Sequence, residues 1–230
     1  MKRLAAVLLL VLPGPALAQA YQCRLPQRIQ LPEPPRPDGP VRRMAVTGYT
    51  LAASWSPQYC RSARDYQSMQ CSGRSGLFGF ILHGLWPEGR SGWPQWCSLT
   101  PRPGPALLRQ HLCMTPSARL LEHEWAKHGS CMTATPAAYF RTASILWRSI
   151  AWPDADRLSR RKGLTVGDLR REFVLANPDW RAEHVGVVLA RGGWLQELRL
   201  CYRRDFRPAA CPRGQSGASD GEPLKIWRGL

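Results

Sequence analysis

Three of the five histidines fall in two short segments, Phe80 to Glu88 (FILHGLWPE) and Leu121 to Cys131 (LEHEWAKHGSC). In the second segment Lys127 and His128 follow Glu124 at i+3 and i+4. A helix there turns a carboxylate, an ammonium and an imidazole to one face, with His123 stacked over Lys127. Those groups suit proton transfer, because imidazole titrates at about pH 6.5 and serves as either acid or base. The plainer alternative is an exposed salt-bridge helix ending at Gly129. A zinc-protease helix is the rival with chemistry, but His123 and His128 are spaced i,i+5, whereas that motif needs i,i+4. At i,i+5 the two rings diverge by about 140° around the helix. We therefore assign no metal ligand and expect no cofactor.

The elements that must position these residues follow from periodicity and breakers. Tyr49 to Trp55, bounded by Pro57, reads as a strand, and Gly79 to Leu82 as a second, buried one. Thr115 to Lys127 is predicted helical, with a Pro at its start and Leu120, Leu121 and Trp125 at helical spacing. Thr165 to Ala176 is a second helix, with Val166, Leu169 and Phe173 on one stripe. Val185 to Leu189 turns through Arg191-Gly192-Gly193 and returns as Trp194 to Cys201, a hairpin pattern. Helices and antiparallel strands mix without a βα repeat. The fold class is therefore α+β, a single domain with a central antiparallel sheet flanked by helices and bridged by disulfides. Six of the fifteen residues from Pro26 to Pro40 are Pro, so residues 19–45 read as an extended segment leading into a body at 46–230. Pro212 to Gly221 reads as a surface loop.

Composition narrows the setting. The chain has 230 residues with 44% apolar and 21% charged content, as globular domains do, which excludes a disordered polyelectrolyte despite a formal charge of +16. Met1-Lys2-Arg3, the apolar run Leu4 to Leu12 and Ala16-Leu17-Ala18 form the pattern of a secretory signal peptide over residues 1–18, with Ala18-Gln19-Ala20 as a second cleavage choice. The apolar run is too short to span a bilayer, so no membrane partner is expected. Export places eight cysteines in an oxidising compartment, periplasmic or extracellular, where bridges persist. Spacing suggests Cys60 with Cys71 and Cys201 with Cys211. Of the 32 basic residues 28 are Arg, spread along the chain. Such a field attracts polyanions, and it equally serves solubility.

Taken together, the two histidine segments resemble the active-site segments of the ribonuclease T2 family of secreted endoribonucleases. HGLWP is complete at His83 to Pro87, and the second segment matches HEWxKHGTC except for Ser130 in place of Thr. A weaker likeness runs from about Leu51 to Tyr202 and includes Leu195 to Cys201, similar to the family's late strand. The resemblance implies His128 as base, His83 as acid, His123 as a phosphate-holding group, and Lys127 with Glu124 at the pentacoordinate phosphorus. It implies single-stranded RNA as the substrate, little base specificity, and a 2′,3′-cyclic phosphate product that opens to a 3′-phosphate. No metal is needed, because the nucleophile is the substrate's own 2′-OH. Trp86 would stack on a base or pack the core, and Glu88 stands near the base pocket where the family often has a shorter Asp or Asn. The resemblance also implies Cys97 with Cys131, which leaves Cys23 for Cys113.

His111 and His184 match neither segment and read as ordinary surface or core residues. Two other classes stay open: a catalytically idle RNA-binding or toxin-like protein on the same scaffold, and a secreted metallohydrolase. A monomer is expected, and an inhibitor protein is left open.

Overall fold

The structure is a computed structural model that describes residues 23–63 and 65–229, so the signal-peptide reading lies outside the described residues. Its strands are β1 (Gly48–Trp55), β2 (Phe80–Glu88), β3 (Val185–Ala190) and β4 (Trp194–Arg203). They form one antiparallel sheet in the order β2-β1-β4-β3. Its helices are α1 (Ser56–Ser62), α2 (Pro105–His111), α3 (Ala118–Lys127), α4 (Pro136–Arg148), α5 (Ala155–Ser159), α6 (Val166–Ala176) and α7 (Arg213–Ser216). The chain is α+β, as its patterning implies.

Alternation along the strands divides the sheet into two faces. Leu51, Ala53 and Trp55 of β1, Phe80, Leu82 and Leu85 of β2, and Leu198 and Leu200 of β4 join Leu121, Trp125, Tyr139, Phe140 and Phe173 in one core cluster. Burying each such side chain is worth about 1.5–3 kcal/mol, which sets the register of the sheet against the helices. Thr50, Ser54, His83, Trp86, Glu88, Glu197 and Arg199 are left to the other face.

The second strand is longer than its sequence suggests. Gly84 and Pro87 are depleted in strands, so the apolar signal ends at Leu82. Pairing nonetheless continues to Gly48 opposite Glu88. Pro87 is tolerated because β2 is an edge strand, where a missing N–H need not interrupt a ladder.

Helix α3 is capped by the Ser117 side chain, which accepts from the Leu120 N–H at 3.2 Å. It docks on the open edge of β2. The Leu82 N–H donates to the Met114 carbonyl at 2.9 Å, and the Thr115 hydroxyl donates to the Leu82 carbonyl at 2.6 Å. Helix α4 is absent from the sequence reading, although it carries the usual signals. Thr135 caps it, Pro136 stands at its start, and Tyr139, Phe140, Ala143, Leu146 and Trp147 line its buried face.

The Pro-rich segment is extended and lies against the body. Its carbonyls remain acceptors although proline lacks a donor: Arg109 Nε donates to Pro26 O at 2.8 Å and Arg102 Nη2 to Pro32 O at 2.9 Å. Residues 212–221 lie at the surface but are not a free loop. The buried Arg170 of α6 donates to the Ser216 and Ala218 carbonyls at 2.8 and 2.9 Å, and Val187 bridges to Gly217. Four disulfides join Cys23 to Cys113, Cys60 to Cys71, Cys97 to Cys131 and Cys201 to Cys211.

Candidate active site

His83 owes its direction to an irregularity in β2. Ala52 pairs with Gly84 and Ala53 with Leu82, so His83 is the extra residue of a β-bulge. A bulge shifts the alternation by one position. Leu82 and Leu85 can then both face the core while His83 and Trp86 face the site. Gly84 is required beside it, because a Cβ there would strike the Glu124 carboxylate and lie 2.6 Å from the Trp86 indole nitrogen.

Helix α3 delivers the second group. Glu124 is buried; its Oε2 accepts from Trp86 Nε1 at 2.7 Å and its Oε1 lies 3.7 Å from His83 Nε2. His128 caps the helix and is also buried. Its ring stands 5.6 Å from the Trp86 ring, whose other neighbour, His83, is 5.2 Å away. Gly129 follows because a Cβ there would meet Trp125 and Tyr139 at 2.7 Å. Ser130, in place of Thr, keeps the hydroxyl contacts: it donates to Ala126 O at 2.7 Å and accepts from Ser98 N at 3.1 Å, next to the Cys97–Cys131 bridge.

His123 and Lys127 lie on the same helix face. Lys127 Nζ is 2.6 Å from Asp38 Oδ2, and Trp96 Nε1 donates to Asp38 Oδ1 at 3.0 Å. His123 meets the Trp96 ring edge-on at 5.3 Å. Glu88 sits further along β2, accepting from Thr50 Oγ1 at 2.7 Å and Gln215 Nε2 at 2.8 Å. Arg199 lies over Trp86 at 5.6 Å. The structure thus gathers His83, Trp86, Glu124 and His128 tightly, with His123 and Lys127 beside them and Glu88 at the end of the same strand. His111 and His184 are elsewhere, on Phe140 and Trp180.

Burial and charge set these groups apart in acidity. Burial alone would lower the His83 pKa, but the Glu197 hydrogen bond and the charges of Glu124 and Glu197 outweigh it and hold the imidazolium above its ordinary range. His128 goes the other way: burial, reinforced by Lys127, His123 and His83, pushes it down to about 3. Glu124 is raised by burial to about 7 despite His83, Trp86 and Lys127. His123 is lowered by burial and Lys127, Asp38 is lowered by its hydrogen bond to Lys127, and Glu88 is raised by burial. Two imidazoles thus flank one indole with their acidities shifted in opposite directions, His83 up and His128 down. Among the described residues nothing hydrogen-bonds the buried His128 Nδ1.

Sequence reasoning missed four neighbours. Ser54, Glu197 and Arg199 reach the site because β1 and β4 present them on the same face as His83; the spacing of Glu197 and Arg199 at i,i+2 within an apolar strand was the available signal. Asp38 comes from the Pro-rich segment and has no local signature.

Comparison with known proteins bears on this geometry. The model of the "Ribonuclease T2 family" matches residues 47–159, which contain both histidine segments. A "Probable ribonuclease" of Haemophilus influenzae is 34% identical over 186 residues, 75% of this chain and 64% of that protein. A "Ribonuclease" of Aeromonas hydrophila is 32% identical over 165 residues, 68% of this chain and 72% of that protein. Among solved structures, an RNase-related protein from Calystegia sepium superposes with a TM-score of 0.63 at 20% identity, covering 80% of this chain and 98% of that one. RNase NT in complex with 5′-AMP gives 0.61 at 20% identity with the same coverage, and both likenesses show a shared fold. With the matched segments meeting around Trp86 and a relative aligned over most of its length, the chain belongs to the ribonuclease T2 family.

Proposed function

We propose that the protein is a secreted endoribonuclease that cleaves single-stranded RNA by transphosphorylation. His128, neutral and buried, takes the proton of the ribose 2′-OH. The resulting oxygen attacks the adjacent phosphorus, the bond from phosphorus to the 5′-oxygen breaks, and the His83 imidazolium supplies the proton that this oxygen needs to leave. The products are a 2′,3′-cyclic phosphate and a free 5′-OH. Water then opens the ring to a 3′-phosphate, with the two histidines in reversed roles. Lys127 and His123 receive the phosphate oxygens, and Glu124 polarises the centre from the floor of the site. Trp86 offers a ring for stacking, worth about 1–3 kcal/mol per base, while its indole N–H is held by Glu124. The observation that carries this reading is the placing of His83 and His128 on either side of the Trp86 ring, at 5.2 and 5.6 Å, with Glu124 between them on the Trp86 indole N–H; their acidities shift in opposite directions, which supports it.

The disulfides support an oxidising compartment. In this reading residues 1–18 are the export signal, 19–45 the lead-in, and 46–230 the catalytic body. Incubation with RNA and with DNA, each with and without EDTA, tests the activity. RNA is expected to be cut to cyclic-phosphate ends in every condition and DNA to survive, since it lacks the 2′-OH. EDTA inhibition would support a metallohydrolase instead, and binding without cleavage an idle RNA-binding protein. His128→Ala is expected to lose roughly 10²–10⁴ in kcat while keeping the fold.

A further inference from the structure

Glu197 belongs to β4, outside the 47–159 region that the family model matches, yet its carboxylate touches His83 directly. Oε2 lies 2.8 Å from His83 Nδ1, and the carboxylate is almost fully buried, with 6% of the side chain exposed. Three strands assemble this contact. Ser54 of β1 donates to Glu197 Oε2 at 3.1 Å and lies 3.4 Å from His83 Nδ1, and Arg199 Nε donates to Glu197 Oε1 at 3.0 Å. Both oxygens are thus occupied, and the carboxylate is fixed by donors on either side. A buried carboxylate is costly unless paired and hydrogen-bonded. Here every partner is a polar group whose own position is set by the sheet.

We infer that Glu197 is a positioning residue for the acid step: by accepting from Nδ1 it fixes the His83 tautomer, turns the Nε2 proton toward the leaving 5′-oxygen, and keeps the ring charged until that proton is given up. This rests on the assignment of His83 as the acid. The charged groups facing His83 are Glu197 and Arg199 from β4 and Glu124 from α3; His123 and His128 of the α3 end also face it, and the His83 charge helps to lower both of them. Burial and Arg199 disfavour the imidazolium, and Glu124 and Glu197 favour it. Among the described residues only Glu197 hydrogen-bonds the ring at Nδ1 as an anion. A glutamine keeps the shape and can still accept from Ser54 or Arg199, but it is uncharged. If it turns its NH2 toward Nδ1, that nitrogen becomes an acceptor and the neutral ring is favoured.

The test compares two substrates of wild type, Glu197→Gln, Glu197→Asp and His83→Ala, with folding checked by thermal melts. A dinucleoside monophosphate leaves as an alkoxide and needs an acid. Uridine 3′-(4-nitrophenyl phosphate) leaves as a stabilised phenolate and does not. Glu197→Gln is expected to lose about 10- to 100-fold in kcat on the first substrate, within the range of an acid's contribution, and little on the second. The alkaline limb of its kcat/KM profile should move to lower pH, and Glu197→Asp should restore part of both. Equal losses on the two substrates with an unmoved pH profile would overturn the inference and make Glu197 a structural residue, provided His83→Ala discriminates between the substrates. A His83→Ala enzyme that cleaves the dinucleotide at near wild-type rate would instead overturn the acid assignment itself, and the role of Glu197 with it.

Discussion

Single residues in this site depart from their usual chemistry because sheet and helix bury them together. The pH profile follows from those departures. In the proposed mechanism productive enzyme needs His128 neutral and His83 protonated. With His128 pushed down to about 3 and His83 held above its ordinary 6.5, kcat/KM should stay high through mildly acidic solution and fall on the alkaline side as His83 loses its proton. Activity that only climbs between about pH 6 and 8 would contradict the pairing. Glu124 gives a stability prediction of opposite sense. Its folded pKa of about 7 exceeds its ordinary 4.5, so between those values the folded state holds a proton that the unfolded chain has lost. Stability must then fall as pH rises through that window. Glu124→Gln removes the penalty and still accepts from Trp86, so at neutral pH it should raise stability by on the order of 1–3 kcal/mol while lowering kcat. Thermal melts at about pH 5 and 8 measure the first effect and steady-state kinetics the second.

At the scale of elements, the site depends on where β2 bulges and where α3 docks. Both histidine segments are visible as motifs, and the spacing of Glu124, Lys127 and His128 already implies one helix face. The bulge at His83 is not visible locally, since it arises from pairing β2 with β1 while Leu82 and Leu85 both seek the core. Nor can local preference extend a strand through Gly84 and Pro87, because only the edge position makes Pro87 acceptable. Gly84→Ala tests this junction. Its methyl would fall on Glu124 and Trp86, so we expect a loss of 1–3 kcal/mol, roughly that of overpacking, together with a large drop in kcat. Full activity with an unchanged melting temperature would show that the site has more room than the contacts indicate. Helix α4 went unread although its cap and apolar stripe are local signals; the contact of its Tyr139 with β2, where the hydroxyl accepts from Leu85 N at 3.1 Å, has no local signal at all.

For the whole molecule, charge and cross-links act over distances that no element spans. In the proposed reading, removal of residues 1–18 takes Lys2 and Arg3 from the formal charge of +16 and leaves +14, enough to draw RNA by long-range attraction, so cleavage should slow steadily as salt rises, and a rate flat from low to high salt would remove charge from the account. The Cys23–Cys113 bridge ties the Pro-rich segment to the body across 90 residues. Replacing both cysteines by Ala should cost roughly 4–5 kcal/mol in the chain-entropy estimate, read as a lower denaturation midpoint with the active-site geometry kept. The sequence by itself determined the α+β class, the two histidine segments and one helix face, because residue type and periodicity are local properties. Only the tertiary structure decided that Asp38 holds Lys127, that Gln215 holds Glu88 and that Glu197 holds His83. Those partners are 89, 127 and 114 residues apart, and no local pattern encodes a contact that exists only once the sheet has closed.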